Sequence, residues 1–371
     1  METIKIKDIT KDKKGHYGIG ASAENYVPTH PEYLRITDIT DYGDISSNLP
    51  CTINPIIYPD WNKYQLKSND IVFARTGNST GRNYFCKNMI NPTVFAGFLI
   101  KFSLDPNLIN PQYVGYYCQS KAYWNQIKSL FTGSTRSNVN AEQYGNLNIP
   151  IVSSSLQQHI VDTIGTVDDL IEKEQEIFKQ IEALGLKIFS KYESCNSSLL
   201  KETFDTFNGY TFKSKSYVIY SKNKLITIKN IDDIGFNTSS VSFLDDKHID
   251  PKFKLSIGDI LLTMTGNIGR IGIVDEDYCY LNQRVLKINC FSKLYCWCYL
   301  KKYKNKIIEL GKGTAQVNLS LEEFQNLVLK NSSDEIKSFS KYDFIYDEMV
   351  SLKIKIKNLK AIKDNLLAKY F

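Results

Sequence analysis

The order of apolar and polar residues divides the chain into strand-rich and helical segments. Residues 1–150 alternate short β-branched and aromatic runs with Gly, Asn, Asp and Pro clusters, and residues 201–335 repeat this pattern. It predicts two mixed α/β domains built from many short strands. Within them, the aromatic stretches 112–131 and 293–310 are each predicted to form a helix, and Asn110-Pro111 is a typical helix start.

From Ser155 onward the apolar residues recur in alternating steps of four and three, which predicts a heptad seam on a long helix. The same register returns 178 positions later, and both copies are interrupted at the same step, Gly185 and Lys363. Each helix would span ~37 residues, or roughly 55 Å. Because register and interruption are shared, we expect the two helices to pack on each other; two independent surface helices are the alternative. The seam residues are Ile160, Ile164, Val167, Ile171, Phe178, Ile181, Ile188 and Tyr192, and then Tyr342, Ile345, Met349, Leu352, Ile356, Leu359, Leu366 and Tyr370.

Other blocks of sequence also occur twice. The segment 70–78 returns as 259–267, and a Gly-Arg pair follows each copy. Gly133 lies 59 positions before Tyr192, and Gly311 lies 59 positions before Tyr370. A period of about half the chain indicates a duplicated domain with an approximate two-fold relation rather than a solenoid.

Chain continuity then predicts the arrangement of these segments. The first helix leads from domain one to domain two, so a second helix packed on it has to run back, antiparallel to the first. The predicted fold class is α+β, with two similar domains separated by an antiparallel coiled coil. The expected boundaries are 1–152 for the first domain, 153–195 for the central helix, 196–335 for the second domain and 336–371 for the distal helix.

Composition narrows the functional classes. No run of 18 apolar residues occurs, and the N-terminus lacks the apolar stretch of a signal peptide, so we expect no membrane span and a cytoplasmic location. Eight cysteines lie scattered without a Cys-x-x-Cys pair, and four histidines lie far apart. Reduced thiols and no metal site are therefore expected.

The net charge of +6 is unevenly distributed. Residues 1–150 carry 15 basic and 12 acidic groups, and residues 201–335 carry 19 and 16, so each domain has a net charge of +3. The central helical segment 151–200 is −4 and the distal segment 336–371 is +4. Opposite charges favour two helices lying side by side.

Several short motifs occur in an order that is itself duplicated. They are Tyr17-Gly18-Ile19-Gly20-Ala21, 70–82 with its Thr-Gly-Asn core, Gly133-Ser134-Thr135-Arg136 and Ser155-Leu156-Gln157-Gln158, with 258–270 and Gly313-Thr314-Ala315-Gln316 in the second half. On these residues the chain resembles the specificity (S) subunit of type I restriction-modification systems over essentially its whole length. One departure is 331–334, which lacks the Pro and Leu-Gln-Gln of the first helix start.

The resemblance implies a DNA-recognition subunit. Each domain would read one half of a bipartite, asymmetric site in double-stranded DNA. The helices would set the spacer and hold two methyltransferase (M) subunits, which bind S-adenosylmethionine and methylate adenine, and motor-nuclease (R) subunits would join for cleavage. No cofactor is expected in this chain. The residues expected on the partner-binding helices are Gln157, Gln158, Ile164, Ile171, Phe178, Ile345, Met349 and Leu352.

The repeat also sorts the expected DNA contacts. Residues identical in both domains cannot distinguish unlike half-sites, so we assign them to loop geometry and backbone contact. Glycines there allow positive φ and close approach of the backbone to DNA. A tight turn that does not touch DNA is the alternative. The identical residues are Thr76, Gly77, Asn78 and Arg82 in the first domain and Thr265, Gly266, Asn267 and Arg270 in the second. We add Arg75, which adjoins the first group.

Base-reading residues are expected among unmatched polar side chains near these loops. Arg suits the O6 and N7 atoms of guanine, and Asn or Gln suits N6 and N7 of adenine. An ordinary solvated or structural role is the alternative for each. The candidates are Ser79, Thr80, Asn83, Arg136 and Asn138 in the first domain, and Gln283, Arg284, Lys312 and Gln316 in the second.

A catalytic role finds little support. The sequence Asn110-Pro111-Gln112-Tyr113 is superficially similar to the Asn-Pro-Pro-Tyr of adenine methyltransferases but lacks the second Pro, and no Gly-rich cofactor loop lies nearby. We therefore expect a non-catalytic subunit with no catalytic or metal-binding residues. Two alternatives remain open: the S subunit of a type IIB-like enzyme, and a structural scaffold that binds only proteins.

Overall fold

The computed structural model describes residues 2–45, 49–89, 91–130, 138–231, 235–238, 240–312 and 317–371. The chain forms two compact units, unit 1 (Met1–Leu170 with Lys360–Phe371) and unit 2 (Ile171–Leu359). Both divisions fall inside long helices, so each unit combines one strand-rich segment with parts of two helices. The sequence boundaries at 152, 195 and 335 delimit segments rather than these units and remain predictions.

Unit 1 contains ten short strands in its described residues. In one sheet the order is β2-β9-β6-β7, all antiparallel, and in a second it is β3-β5-β4-β8, with β4 and β8 parallel. The pair β1-β10 is antiparallel, with Ile4 opposite Ile149. The strands are β1 (Thr3–Lys5), β2 (His16–Tyr17), β3 (Glu24–Asn25), β4 (Glu32–Leu34), β5 (Cys51–Thr52), β6 (Asp70–Ala74), β7 (Asn83–Phe85), β8 (Thr93–Phe95), β9 (Leu99–Ser103) and β10 (Asn148–Pro150).

The helices of unit 1 begin at capping residues. They are α1 (Pro111–Tyr117), α2 (Lys121–Ser129), α3 (Ala141–Gly145) and α4 (Ser154–Tyr192), which continues into unit 2. The side chain of Asn110 accepts from the Gln112 amide at the start of α1, as predicted. The expected single helix over 112–131 is wrong, because the Ser120 side chain caps a second helix by accepting from the Tyr123 amide.

The core of unit 1 lies between β6, β9 and the helices. Phe73 of β6 stacks on Tyr144 of α3 with ring centroids 4.8 Å apart. Ile160 and Ile164 of α4 and Leu367 from the end of the chain are buried in the same cluster. Burial of this apolar surface is what holds the helical segments on the sheet.

Unit 2 contains twelve strands in its described residues. Its four-stranded sheets have the orders β12-β19-β16-β17 and β13-β15-β14-β18, the latter with β14 and β18 parallel. The strands are β11 (Ser198–Leu199), β12 (Phe204–Asn208), β13 (Tyr217–Val218), β14 (Lys224–Ile226), β15 (Ser242–Leu244), β16 (Ile260–Thr263), β17 (Ile271–Ile273), β18 (Cys279–Leu281), β19 (Val285–Cys290), β20 (Gly311–Lys312), β21 (Asn318–Leu319) and β22 (Val328–Leu329).

Five further helices follow in unit 2, the last ending in unit 1. They are α5 (Lys293–Lys302), α6 (Lys304–Glu309), α7 (Leu321–Gln325), α8 (Ser333–Phe339) and α9 (Asp343–Tyr370). The expected helix over 293–310 is interrupted at Tyr303. A capping box of Ser332 and Glu335 starts α8, and a 3-10 turn over Ser340–Tyr342 separates it from α9. The distal helix is thus two helices rather than one.

The two four-stranded sheets of unit 1 have the same strand orders and directions as those of unit 2. Strands β2, β9, β6 and β7 correspond to β12, β19, β16 and β17, and β3, β5, β4 and β8 correspond to β13, β15, β14 and β18. The duplicated α+β architecture predicted from the sequence repeat is confirmed.

The long helices are antiparallel within each unit. In unit 1, Asp168 of α4 pairs with Lys363 of α9 at 2.8 Å, and the earlier His159 contacts the later Tyr370. In unit 2, Glu174 of α4 pairs with Lys355 at 2.6 Å. The charged residues Glu174 and Lys363 are buried, and these ion pairs satisfy them. Among the described residues, no helix combines the length and the apolar character needed to cross a membrane.

Candidate nucleic-acid interface

A turn that contains two glycines, the glycine turn, follows β6 in unit 1 and β16 in unit 2. We use this name for 76–82 in unit 1 and 265–270 in unit 2. Gly77 and Gly266 have φ of +71° and +72°, and Gly81 and Gly269 have φ of +94° and +80°. The amide of Gly81 donates to the Ala74 carbonyl, and that of Gly269 donates to the Thr263 carbonyl. Such φ values favour glycine, which explains why the sequence repeats it at these positions.

A second segment lies beside each turn. Thr76 bridges to Asn138, and Thr265 bridges to Asn318. The amide of Val139 donates to the Arg75 carbonyl at 2.9 Å, and the amide of Leu319 donates to the Met264 carbonyl at 2.8 Å. The structure therefore brings together two motifs that lie about 60 residues apart in the sequence of unit 1 and about 50 apart in unit 2. Arg136 and Gln316 lie outside the described residues.

The residues shared by both turns differ in exposure. Gly77 and Asn78 are exposed, as are Gly266 and Asn267, whereas Thr265 is buried. Arg82 is half-buried, and its Nε lies 2.6 Å from a carboxylate oxygen of Asp41. This ion pair uses part of the guanidinium that is expected, from the sequence, to contact the DNA backbone. The exposed glycine and asparagine at the tip are the surfaces of the turn that a DNA backbone can approach.

Three base-reading candidates of the first domain support the turn itself. Ser79, Thr80 and Asn83 are 8%, 7% and 3% exposed. The Thr80 hydroxyl donates to the Gly77 carbonyl at 2.7 Å, and the Asn83 amide donates to the Cys118 carbonyl at 2.7 Å. Because these donors are already used inside the fold, the burial disfavours direct base contact by these residues. Asn138 is exposed beside the turn.

In unit 2 the candidates Gln283 and Arg284 are exposed. They connect β18 to β19, and the Gln283 amide donates to the Tyr210 carbonyl at 3.2 Å. Lys312 is also exposed but forms an ion pair with Glu323. Gln283 and Arg284 are thus the candidates of this unit that the described structure presents with free side-chain ends.

Two groups of lysines over aromatic rings in unit 2 were missed from the sequence. The nitrogens of Lys222 and Lys254 lie 5.1 and 5.3 Å from the Tyr278 ring centre. Lys252 lies over Phe253, whose ring is 5.2 Å from that of Tyr210. Exposed lysines held over aromatic rings suit contact with phosphate groups. The only sequence signal was the density of lysines over 213–254.

The helix residues expected to bind partners have mixed positions. Ile164, Ile345 and Met349 are buried in the core clusters of their own units, Ile171 and Leu352 are also buried, and Phe178 is half-buried against the core of unit 2. The role of these residues in partner binding remains a prediction. Gln157 is also buried and accepts from the Asn110 amide, while Gln158 is exposed.

Other apolar side chains on α4 are exposed instead. In unit 1 these are Leu156 and Leu170, fourteen residues apart, and in unit 2 they are Ile177 and Leu184, seven residues apart. Multiples of seven keep residues on one side of a supercoiling helix. These four residues are exposed to a partner, whereas the buried seam residues are not.

Asn110-Pro111-Gln112-Tyr113 forms a helix start. The Asn110 side chain accepts from the Gln112 amide and donates to Gln158, and Tyr113 is buried with its hydroxyl on the Pro150 carbonyl. No cluster of three or more His, Cys, Asp or Glu side chains with metal-binding geometry occurs in the part of the chain that the structure describes. The eight cysteines, all within it, are free.

The fold and its paired glycine turns define the protein as a duplicated two-domain α+β protein with long antiparallel helices. The family model described as the type I restriction modification DNA specificity domain matches residues 1–183 and 192–331. The chain therefore belongs to the family of type I restriction-modification specificity subunits, a family that is in general non-catalytic.

A solved structure supports the fold. The chain is similar to the crystal structure of a type I restriction-modification system S subunit from M. genitalium, with a TM-score of 0.53 and 17% identity over 100% of this chain and 96% of that one. It also matches the HsdS subunit from Thermoanaerobacter tengcongensis at 15% identity over 100% and 96% of the two chains, with a TM-score of 0.37, from which nothing is concluded. A search of curated proteins returns no match.

Proposed function

We propose that this chain is the DNA sequence-specificity subunit of a type I restriction-modification complex. Unit 1 reads one half of a bipartite, asymmetric DNA site, and unit 2 reads the other. The chain is non-catalytic and binds no cofactor. Two M subunits that bind S-adenosylmethionine, and R subunits, assemble on it in the cytoplasm.

One observation carries this proposal: the same hydrogen-bonded turn occurs twice with unlike exposed side chains around it. Gly77 and Gly266 share their φ, and Thr76 and Thr265 share their bridges to an asparagine. Beside them the exposed residues differ, with Phe98 in unit 1 and Arg284 in unit 2. A common frame with unlike side chains suits two half-sites of unlike sequence.

The helices suit a spacer and platform role. The continuous α4 is 39 residues long, or roughly 58 Å at 1.5 Å per residue. Half-sites on one face of B-DNA lie about 34 Å apart. A helix of this length can set such a separation, and a four-residue insertion near Gly185 is expected to lengthen the recognised spacer while both half-sites stay unchanged.

The M subunits dock on exposed apolar residues of the central helix. Leu170 in unit 1 and Ile177 and Leu184 in unit 2 remain 40%, 41% and 50% exposed, and exposed apolar side chains of this kind are typical of a protein interface. Leu170→Glu and Leu184→Glu should each abolish capture of M by the full chain. Lys179→Glu, an exposed change on another face of α4, should leave capture intact. Equal capture by all three variants would exclude this surface.

The central experiment combines the full chain with its M subunit. The chain alone should bind duplex DNA weakly, with affinity falling steeply as salt rises, and should transfer no methyl group. With M, methylome sequencing should show one bipartite motif, and exchange of residues 201–335 for a homologous segment should change one half-site. Methyl transfer by the isolated chain would refute the subunit assignment.

Two alternatives give different outcomes. A type IIB-like assembly would pair the chain with one fused nuclease-methyltransferase and cut on both sides of the site. A structural scaffold would show no salt-dependent DNA affinity.

A further inference from the structure

Backbone hydrogen bonds identify matching positions in the two units. The amide of Arg75 donates to the Phe98 carbonyl at 3.0 Å, and the amide of Met264 donates to the Arg284 carbonyl at 3.1 Å. Arg75 therefore corresponds to Met264, and Phe98 to Arg284. The residues that precede Phe98 and Arg284 support this correspondence. The backbone amide of Gly97 donates to the Ile19 carbonyl, and the backbone amide of Gln283 donates to the Tyr210 carbonyl.

At these matched positions the two units exchange an arginine for an apolar residue. Unit 1 has arginine directly after β6, where the chain enters the glycine turn, and phenylalanine directly before β9. Unit 2 has methionine directly after β16 and arginine directly before β19. The chain contains six arginines and 40 lysines, so composition alone would favour lysine at these positions, yet each pair contains an arginine. The exchange keeps one guanidinium in each unit but places it next to a different strand.

Neither arginine is paired with a carboxylate of the described chain. Arg35 and Arg82 bind Asp38 and Asp41, but among the described residues neither Arg75 nor Arg284 has a carboxylate partner. The side chain of Arg284 is exposed. A guanidinium without an internal acceptor keeps its fork of donors for an outside one.

Arg75 is also held in place. Its guanidinium carbon lies 5.0 Å from the centre of the Tyr17 ring, and the Tyr17 hydroxyl accepts from the Ala141 amide at 3.2 Å. The Nε of Arg75 is buried without a hydrogen bond. A buried donor without an acceptor is unfavourable, and it shows that no group inside the described fold uses this nitrogen of the guanidinium.

We propose that Arg75 and Arg284 are specificity-determining residues that each contact a guanine in the major groove, one in each half-site. This rests on the proposed function and moves Arg75 from backbone contact to base reading. The planar guanidinium presents a rigid fork that fits O6 and N7 of guanine bidentately, and the flexible point charge of lysine is a poorer match for this geometry. Since the two side chains lie next to different strands, the two guanines occupy different positions in their half-sites.

The test uses the full chain expressed with its M subunit and the methylome of the host as the readout. Arg75→Lys and Arg75→Met should each relax one guanine position in one half-site, with discrimination there falling roughly 5- to 150-fold. Arg284→Lys and Arg284→Phe should do the same in the other half-site only. The double variant R75M/F98R, which gives unit 1 the arrangement of unit 2, should move the guanine preference within its half-site.

Arg35→Lys serves as the matched control, because Arg35 binds Asp38 and belongs to none of the expected DNA-contact residues, and it should leave the motif unchanged. Full discrimination in both Arg75→Lys and Arg284→Lys would overturn the inference, since charge alone would then suffice, as in phosphate contact. Relaxation in both half-sites by a single variant would also overturn it. If the unaltered chain with M gives no bipartite motif, the proposed function itself fails, and the inference with it. The lysine variants decide the matter even where Arg75→Met or Arg284→Phe does not fold.

Discussion

The two glycine turns have one backbone frame but are stabilised in different ways. In unit 1 the turn is held by buried hydrogen bonds: the Tyr144 hydroxyl donates to the Ala74 carbonyl at 2.6 Å, and Asn83 donates to Cys118. In unit 2 the positions of Tyr144 and Asn83 are taken by Phe324 and Ile271, both buried and apolar. The frame therefore depends on its glycines and backbone bonds, while the side chains around it can be either polar or apolar.

This difference explains why unmatched polar residues are not all DNA readers. Thr80 has no equivalent in the second turn because the two turns use different hydroxyls. The Thr80 hydroxyl donates to the Gly77 carbonyl in the first turn, and the Thr263 hydroxyl donates to the Asn267 carbonyl at 2.5 Å in the second. We expect a mismatch between the halves to mark a base reader only where the side chain is also exposed, as at Arg284.

The largest expected effect comes from two matched glycines, Gly18 and Gly209, each of which lies against the backbone of another segment of the chain. A Cβ on Gly18 would lie 2.2 Å from the Phe95 carbonyl oxygen, and one on Gly209 would lie 2.3 Å from that of Asn282. Gly18→Ala and Gly209→Ala should each destabilise their own unit by about 3 kcal/mol or more, because backbone atoms cannot move aside. Segment-resolved hydrogen exchange measures this loss unit by unit.

Gly20→Ala is the control for these substitutions. Nothing lies within 4 Å of a Cβ at Gly20, so this change should alter stability by no more than about 0.5 kcal/mol. A tolerated Gly209→Ala beside a damaging Gly18→Ala would show that the two glycine positions are not equivalent.

Asn83→Ala tests the polar support of the first turn. The change leaves the buried Cys118 carbonyl without its donor and should destabilise unit 1 by about 2 kcal/mol, measured by urea denaturation. The methylated motif should stay the same, because Asn83 is buried. A changed base preference at normal stability would instead identify Asn83 as a base reader.

Lys357→Met removes a cation that only unit 2 uses. Lys357 lies 3.0 Å from Asp275 and 2.7 Å from Glu276, and both carboxylates are largely buried. With Lys357 itself partly exposed, the loss should be about 1–2 kcal/mol at pH 7. Lys63→Met, whose ion pair with Asp60 is exposed, should cost less than about 0.5 kcal/mol.

The effect of Lys357→Met should depend on pH. Burial raises the pKa of Asp275 above its ordinary 3.8. Burial also opposes the charge on Glu276, but hydrogen bonds from Lys224 and Lys357 outweigh it and lower the pKa of that carboxyl below 4.5. Stability from Glu276 is thus present above pH 4.5 and lost as pH falls through its folded pKa, whereas the unfavourable charge of Asp275 disappears on protonation.

The deficit of Lys357→Met should therefore be largest at neutral pH, where both carboxylates are charged, and should shrink as the pH falls towards 4. Urea denaturation at several pH values checks this. A deficit that grows in acid would contradict the assigned ion pairs.

The smallest expected effect is that of Tyr144→Phe, which gives unit 1 the residue of unit 2. The Tyr144 hydroxyl donates to the Ala74 carbonyl and accepts from the Gly81 amide. Those two backbone groups also bind each other, so the loss should be about 1 kcal/mol by urea denaturation. Tyr26→Phe, at an exposed tyrosine, should have no measurable effect.

Repeats and periodicity predicted much of this architecture. The heptad pattern from Ser155 predicted α4 almost to its ends, and the glycines repeated at 77 and 266 predicted two equivalent turns. The breaks at Ser120 and Tyr303 were not predicted, because aromatic residues on both sides are compatible with one continuous helix. Side-chain caps decide such breaks, and they compete with the helix by small energies.

The sequence by itself determined the duplication, the long helices and the family, because these follow from spacing and composition along the chain. Only the tertiary structure decided which polar residues are exposed. Asn83 and Arg284 are both polar residues in loops or at strand ends, yet one satisfies a buried carbonyl and the other faces solvent. Exposure depends on what the rest of the fold packs against a side chain, and that information is not local in sequence.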